Sequence, residues 1–190
     1  MKKSTIILIS ILAVVLIAVL WFVGTRNGLG AMEEEVSLAA SQIETQLQRR
    51  NDLIPNFVAT VKGYAAHEED VYTAIADARA KLSGAMEGGD ISEINQANSE
   101  LDSALSRLLV VVENYPELKA NENFIALQDE LAGTENRINK ARQDYNEVVA
   151  TYNKKIKMFP ENMIAGMLGL EKAEYFEADE GAKDVPKVEF

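Results

Sequence analysis

The stretch FIALQDELAGTENRINKARQDYNEVVATYNKKIKMF, residues 124–159, decides the fold. Phe124, Leu131, Ile138, Tyr145, Tyr152 and Phe159 recur every seven residues, with Leu127, Thr134, Ala141, Val148 and Lys155 between them. Such spacing is an a/d heptad seam, the pattern of a long helix packed along one face against other helices. Five repeats correspond to about 54 Å of helix at ~1.5 Å per residue.

Working outward, the same period holds from Asp90 to Tyr115. Ile94, Leu101, Leu108 and Tyr115 fill one seam position, and Asn98, Leu105 and Val112 fill the other. Pro116 disfavours helical geometry at Tyr115 and ends this helix there. Gly88-Gly89-Asp90 supplies a turn at its start, with Asp90 or Ser92 available as N-cap. Short connections between long amphipathic helices place them antiparallel. Between Glu33 and Leu82 an apolar stripe runs through Val36, Ala40, Ile43, Leu47, Ile54, Phe57, Val58, Val61, Ala65, Tyr72, Ile75 and Leu82. Pro55 interrupts it. Because Leu47, Ile54, Val58 and Val61 stay in phase across the proline, a helix kinked at Pro55 is favoured over a hairpin. The expected fold is therefore an all-α antiparallel bundle of three long helices, or four if the chain breaks at Pro55.

Ahead of the bundle, residues 6–23 are apolar except for Ser10. As a helix they span roughly 27 Å, close to the hydrocarbon thickness of a bilayer. A cleaved signal peptide has a shorter apolar region and a small-x-small cleavage site. Here the run ends in Trp21-Phe22, which suits an interfacial anchor, and Gly24-Thr25-Arg26 offers no cleavage pattern. Lys2 and Lys3 outweigh Arg26, placing the body outside the cytoplasm. The plan is a basic flank and transmembrane anchor over 1–23, a linker over 24–32, the bundle over 33–170, and a tail over 171–190 packing on or trailing it. A strand is expected at most over 185–190.

The chain holds 19 basic and 30 acidic residues. Without Lys2 and Lys3 the body keeps 17 against 30, a net charge of −13. Such a surface repels nucleic acid and anionic headgroups. With no cysteine there is no disulfide, thiolate nucleophile or cysteine zinc site. His67 is the only histidine, and His67-Glu68-Glu69-Asp70-Val71 lacks the second histidine of a zincin. It is expected as a satisfied histidine at a helix edge. Glu33-Glu34-Glu35 is expected as a solvated face. No catalytic, cofactor-binding or metal residue is assigned, and no cofactor is expected.

Residues 41–68, SQIETQLQRRNDLIPNFVATVKGYAAHE, closely resemble the LemA family of bacterial membrane proteins. So do Ala78-Arg79-Ala80, Arg107-Leu108-Leu109, residues 115–121 (YPELKAN), Leu127-Gln128, residues 134–138 (TENRI) and Ala141-Arg142. Tyr145-Asn146, Tyr152-Asn153, Phe159-Pro160, residues 175–178 (YFEA) and 186–190 (PKVEF) fit too. Two departures stand near the membrane. Ala40 lies where the family usually has Trp, and Arg26-Asn27 where it has Tyr-Asn. The resemblance implies a bacterial inner-membrane protein with one N-terminal anchor and a helical-bundle body. Family members related to magnetosome-membrane proteins imply membrane organisation rather than catalysis.

Polar residues within the seams are where chemistry would lie. Glu68 falls on the row Val61, Tyr64, Val71, Ile75, with Arg79 one turn beyond, and Glu135 and Arg142 flank the long seam seven apart. Glu68, Arg79, Glu135 and Arg142 form a candidate buried charged network. Its expected role is to fix helix register. The functional expectation is a membrane-anchored interaction or scaffold protein with unidentified protein partners, in which self-association is allowed. The alternative is a ligand- or cation-binding module with a polar site inside the bundle.

Overall fold

The computed structural model describes residues 3–176, and all described regular structure is helical. Most of the expected tail, including the strand over 185–190, lies outside the described residues. Six helices follow in order: α1 Lys3–Lys62, α2 Glu69–Gly88, α3 Ile91–Val112, α4 Pro116–Lys119, α5 Glu122–Lys157 and α6 Glu161–Leu168. The chain divides into two compact units, Met1–Ala39 with Glu147–Ala173, and Ala40–Asn146 with Glu174–Phe190. The two long helices α1 and α5 contribute to both.

In the larger unit four helices run up-down-up-down. Phe57 stacks on Phe124 at 5.1 Å, while Arg49 meets Glu130, so α1 and α5 are antiparallel. Asn51 contacts Ser83 and Lys62 lies over Tyr72, which sets α1 against α2 in the same way. Their core is the expected stripe: Ile43, Leu47, Ile54, Phe57 and Val61 from α1, Ile75 and Leu82 from α2, Ile94, Leu101 and Leu108 from α3. Gly89, at φ +73°, takes the left-handed conformation that closes α2, and Asp90 then caps α3 by accepting the Glu93 amide at 3.0 Å.

Three expectations need correction. The helix does continue through Pro55, but it does not reach Leu82. It ends at Lys62, and a turn over 63–68 reverses the chain. Gly63 loosens the helix there, and Glu69 and Asp70 favour a new helix N-terminus. Four long helices result, with the break eight residues beyond the proline. Residues 24–32, expected as a linker, are helical, and Leu29 is 1% exposed. Packing of that one side chain offsets the helix cost of the neighbouring glycines, which is about 1 kcal/mol each. Finally, α5 stops before Phe159, which is 77% exposed. Its buried face reads Ile138, Arg142, Tyr145, Val149, Tyr152 and Ile156. Ile138, Tyr145 and Tyr152 keep one seam position, while Arg142, Val149 and Ile156 take the other in place of Ala141, Val148 and Lys155, so the seven-residue period holds with its second position one residue later than expected.

The smaller unit holds the apolar run, whose large side chains from Ile6 to Val23 are all exposed. Beyond it, Leu29 packs with Tyr152, Ile156, Ile164 and Ala165, flanked by Met32, Val36, Leu170 and Ala173. Glu33, Glu34 and Glu35 are exposed, as expected of a solvated face. Gly169, at φ +69°, ends α6, and the chain from Leu170 to Phe176 then lies along α5 without regular structure.

Candidate functional site

The charged centre of the larger unit is Arg50, on the same face of α1 as Leu47 and Ile54. Its side chain is only 7% exposed. Nη1 donates to Asn98 Oδ1 at 3.1 Å, and Nη2 to Asp102 Oδ1. Asn98, wholly buried, donates in turn to Asp102 Oδ2 at 2.9 Å. Glu135 Oε2 lies 3.1 Å from Nη1, close enough to pair but not aligned for a hydrogen bond. At the next residue, Asn51 accepts from Arg79 Nε at 3.0 Å and donates to Ser83 Oγ at 2.9 Å. One cation thus faces two carboxylates, from α3 and α5, and joins three helices at one level. Beside it is a cavity of about 270 Å³, lined by Arg50, Phe57, Asp102, Leu105, Leu131 and Glu135 among others.

The four residues expected as a network do not meet. No hydrogen bond or ion pair among the described residues joins any two of them. Glu135 pairs with Arg50, and Arg79 binds Asn51. Glu68 precedes α2 at the turn, where its main-chain carbonyl accepts from Val71 and Tyr72; the row through Tyr64 that centred it needed an unbroken helix. Arg142, 8% exposed, has its guanidinium 5.6 Å from the Phe176 ring centre, and its Nε and Nη2 find no acceptor among the described residues. His67 sits exposed on the same turn as Glu68, not on a helix edge. No set of three metal-ligating side chains comes together among the described residues. Arg50, Asn51 and Asp102 were missed. Arg50 was legible as a cation between Leu47 and Ile54 at core spacing, and Asp102 as the residue one turn past the seam Asn98.

The model of the LemA family matches residues 39–190. The chain belongs to the LemA family. It is 31% identical to magnetosome protein MamQ 2 of Paramagnetospirillum magneticum, over 93% of this chain and 75% of that one. Identity is 28% both to MamQ of Magnetospirillum gryphiswaldense, covering 84% and 67%, and to protein LemA of Metamycoplasma hominis, covering 84% and 72%.

In this LemA-family chain the twin pairs Tyr145-Asn146 and Tyr152-Asn153 have a structural use that neither seam nor composition announces. In the smaller unit the Asn153 amide reads both main-chain groups of Ala173, donating to its carbonyl at 2.8 Å and accepting its N–H at 2.9 Å. Tyr152 donates its hydroxyl to the Glu171 carbonyl at 3.0 Å. In the larger unit Asn146 treats Phe176 the same way, at 2.9 and 3.0 Å, and Tyr145 donates to the Glu174 carbonyl at 3.0 Å. Each carboxamide satisfies a donor and an acceptor that an irregular segment would otherwise leave unpaired against a helix. Burial pushes both phenols above the ordinary tyrosine range, helped by Glu174 beside Tyr145 and Glu33 beside Tyr152.

Proposed function

We propose that this LemA-family protein is a non-catalytic, membrane-anchored scaffold whose helical body presents an acidic surface to protein partners. The observation that carries it is the helix α1 itself. One unbroken element contains a run long and apolar enough to cross a bilayer and then supplies core residues of the bundle. The buried polar groups around Arg50 are engaged with one another, which suits register fixing better than chemistry. The relatives named as magnetosome proteins support a role in organising membranes, and the net charge of the body disfavours nucleic acid as a partner. Affinity capture from gently solubilised native membranes should recover the same protein partners with the full chain and with an Arg50→Met variant that still folds. Loss of all partners in that variant, with helicity retained, would make the Arg50 cluster a recognition site instead.

A ligand- or cation-binding role is the second reading, supported by the cavity beside Arg50, whose wall carries two carboxylates against one guanidinium. It predicts a rise in melting temperature with a polyamine such as spermidine that Asp102→Asn abolishes. No shift at saturating spermidine removes that reading for polyamine cations.

A further inference from the structure

The smaller unit carries an apolar surface that its own core leaves uncovered. Around α6, Ile164 and Ala165 turn inward onto Leu29, but Met158, Phe159, Met163, Met167 and Leu168 are 40–77% exposed. Their place along α1 is defined. Lys155 and Glu161, which form an ion pair, line a cleft with Trp21, Gly24, Thr25 and Gly28. Leu168 lines another with Arg26, Asn27 and Gly30. The start of α6 therefore lies beside the last turns of the apolar run, and Met158-Phe159-Pro160, which precede it, lie at the Trp21 end. Charge reverses here as well. Residues 154–172 hold four lysines and two glutamates in an otherwise acidic chain. Lys172 stands close enough to Lys157 to hold that ammonium below the usual lysine range, and among the described residues no carboxylate pairs with either.

From this juxtaposition we propose that the segment 158–168 is a second membrane contact, an interfacial wedge in which Phe159 and the α6 methionines enter the same bilayer leaflet that receives Trp21. The inference rests on the anchoring reading above. Exposed methionines and a phenylalanine beside a lysine collar are the composition of a surface-lying segment, with side chains in the acyl boundary and ammonium groups at headgroup phosphates. The occupant is lipid, because the patch is continuous with the apolar run and stands where that run must leave the hydrocarbon. Two contacts instead of one would restrain the tilt of α1 relative to the bilayer.

The test uses the full chain, purified alone and reconstituted in phosphatidylcholine bilayers, with and without brominated acyl chains. Trp21 is the only tryptophan, so the native chain reports the anchor, and a Trp21→Phe, Phe159→Trp double variant reports the wedge. Bromination should lower the emission of the double variant by roughly half, as for a ring ~5–10 Å deep at the headgroup boundary. A nitroxide attached through Met163→Cys, clean in a cysteine-free chain, should be more accessible to oxygen than to a water-soluble relaxant. Quenching of the native chain without quenching of the double variant overturns the wedge and leaves the anchor standing. An unquenched native chain overturns the anchoring reading beneath it. A fluorophore at position 159 shielded from both bromolipid and acrylamide means that protein covers the face, which also overturns the wedge. Should the double variant fail to reconstitute, the nitroxide accessibility decides alone.

Discussion

At Arg50 a guanidinium that is almost wholly desolvated faces two carboxylates that still reach solvent, at 29% and 36% exposure. Removing the cation strands both. Arg50→Met should cost ~2–4 kcal/mol, somewhat less than a fully dry pair, and denaturant unfolding measures it. Glu135→Gln alone should cost less, and the pair of substitutions should cost less than their sum. A parallel cycle of Glu135→Gln with Arg142→Met should add to within ~0.5 kcal/mol, since those residues share no partner. Coupling in the second cycle rather than the first would refute the assignment of Arg50. The phenols give a pH prediction. Tyr72, Tyr145 and Tyr152 are held above the ordinary range, chiefly by burial, and all three donate to main-chain carbonyls. Raised values favour the protonated form in the fold, so their contribution is complete below about pH 10 and disappears as pH climbs through the raised values. Melting temperature should fall as pH rises above about 10, and less steeply in Tyr152→Phe.

At the scale of elements, α1 makes the clearest commitment. A β-carbon built at Gly28 or Gly30 meets nothing within 4 Å. If 24–32 is helix, Gly28→Ala and Gly30→Ala should each stabilise by about 0.5–1 kcal/mol, whereas a flexible linker would show no gain. Thermal melts of the reconstituted chain separate the two. The clasp on α5 is equally specific. Asn153→Ala removes two hydrogen bonds from Ala173 and should cost roughly 1–3 kcal/mol. Hydrogen exchange at the Ala173 amide should quicken while that at Leu101 stays unchanged. Uniform acceleration across both would mean the asparagine supports the whole fold rather than this segment.

For the whole molecule, the anchoring reading predicts which side of the membrane receives the body. We propose, from Lys2 and Lys3 against Arg26, an orientation of α1 with its start in the cytoplasm. Protease added to intact spheroplasts should then degrade the body, and protection until the inner membrane is opened would reverse the orientation. Carbonate extraction should leave the chain in the membrane fraction. Nothing in this test depends on the Arg50 cluster, so topology and internal packing can fail independently.

Residue order alone determined that the described chain is helical, that an apolar run precedes an acidic body, and where much of the core lies. Periodicity and composition are local properties, and Ile43, Leu47, Leu101 and Ile138 follow from spacing alone. Tertiary structure decided three things that spacing leaves degenerate. The stripe from Glu33 to Leu82 fits one helix as well as two, and only closure of the turn over 63–68 against neighbouring helices selects two. Residues three and four positions after a seam residue both lie on its face of a helix, so Val148 and Val149 compete for the core until a partner surface chooses Val149. The charged pairs were the least legible. Arg50, Asn98, Asp102 and Glu135 come from three helices far apart in the chain, and a salt bridge has no sequence period. Which carboxylate answers which guanidinium is fixed by how the helices are aligned, and that alignment exists only once the core has packed.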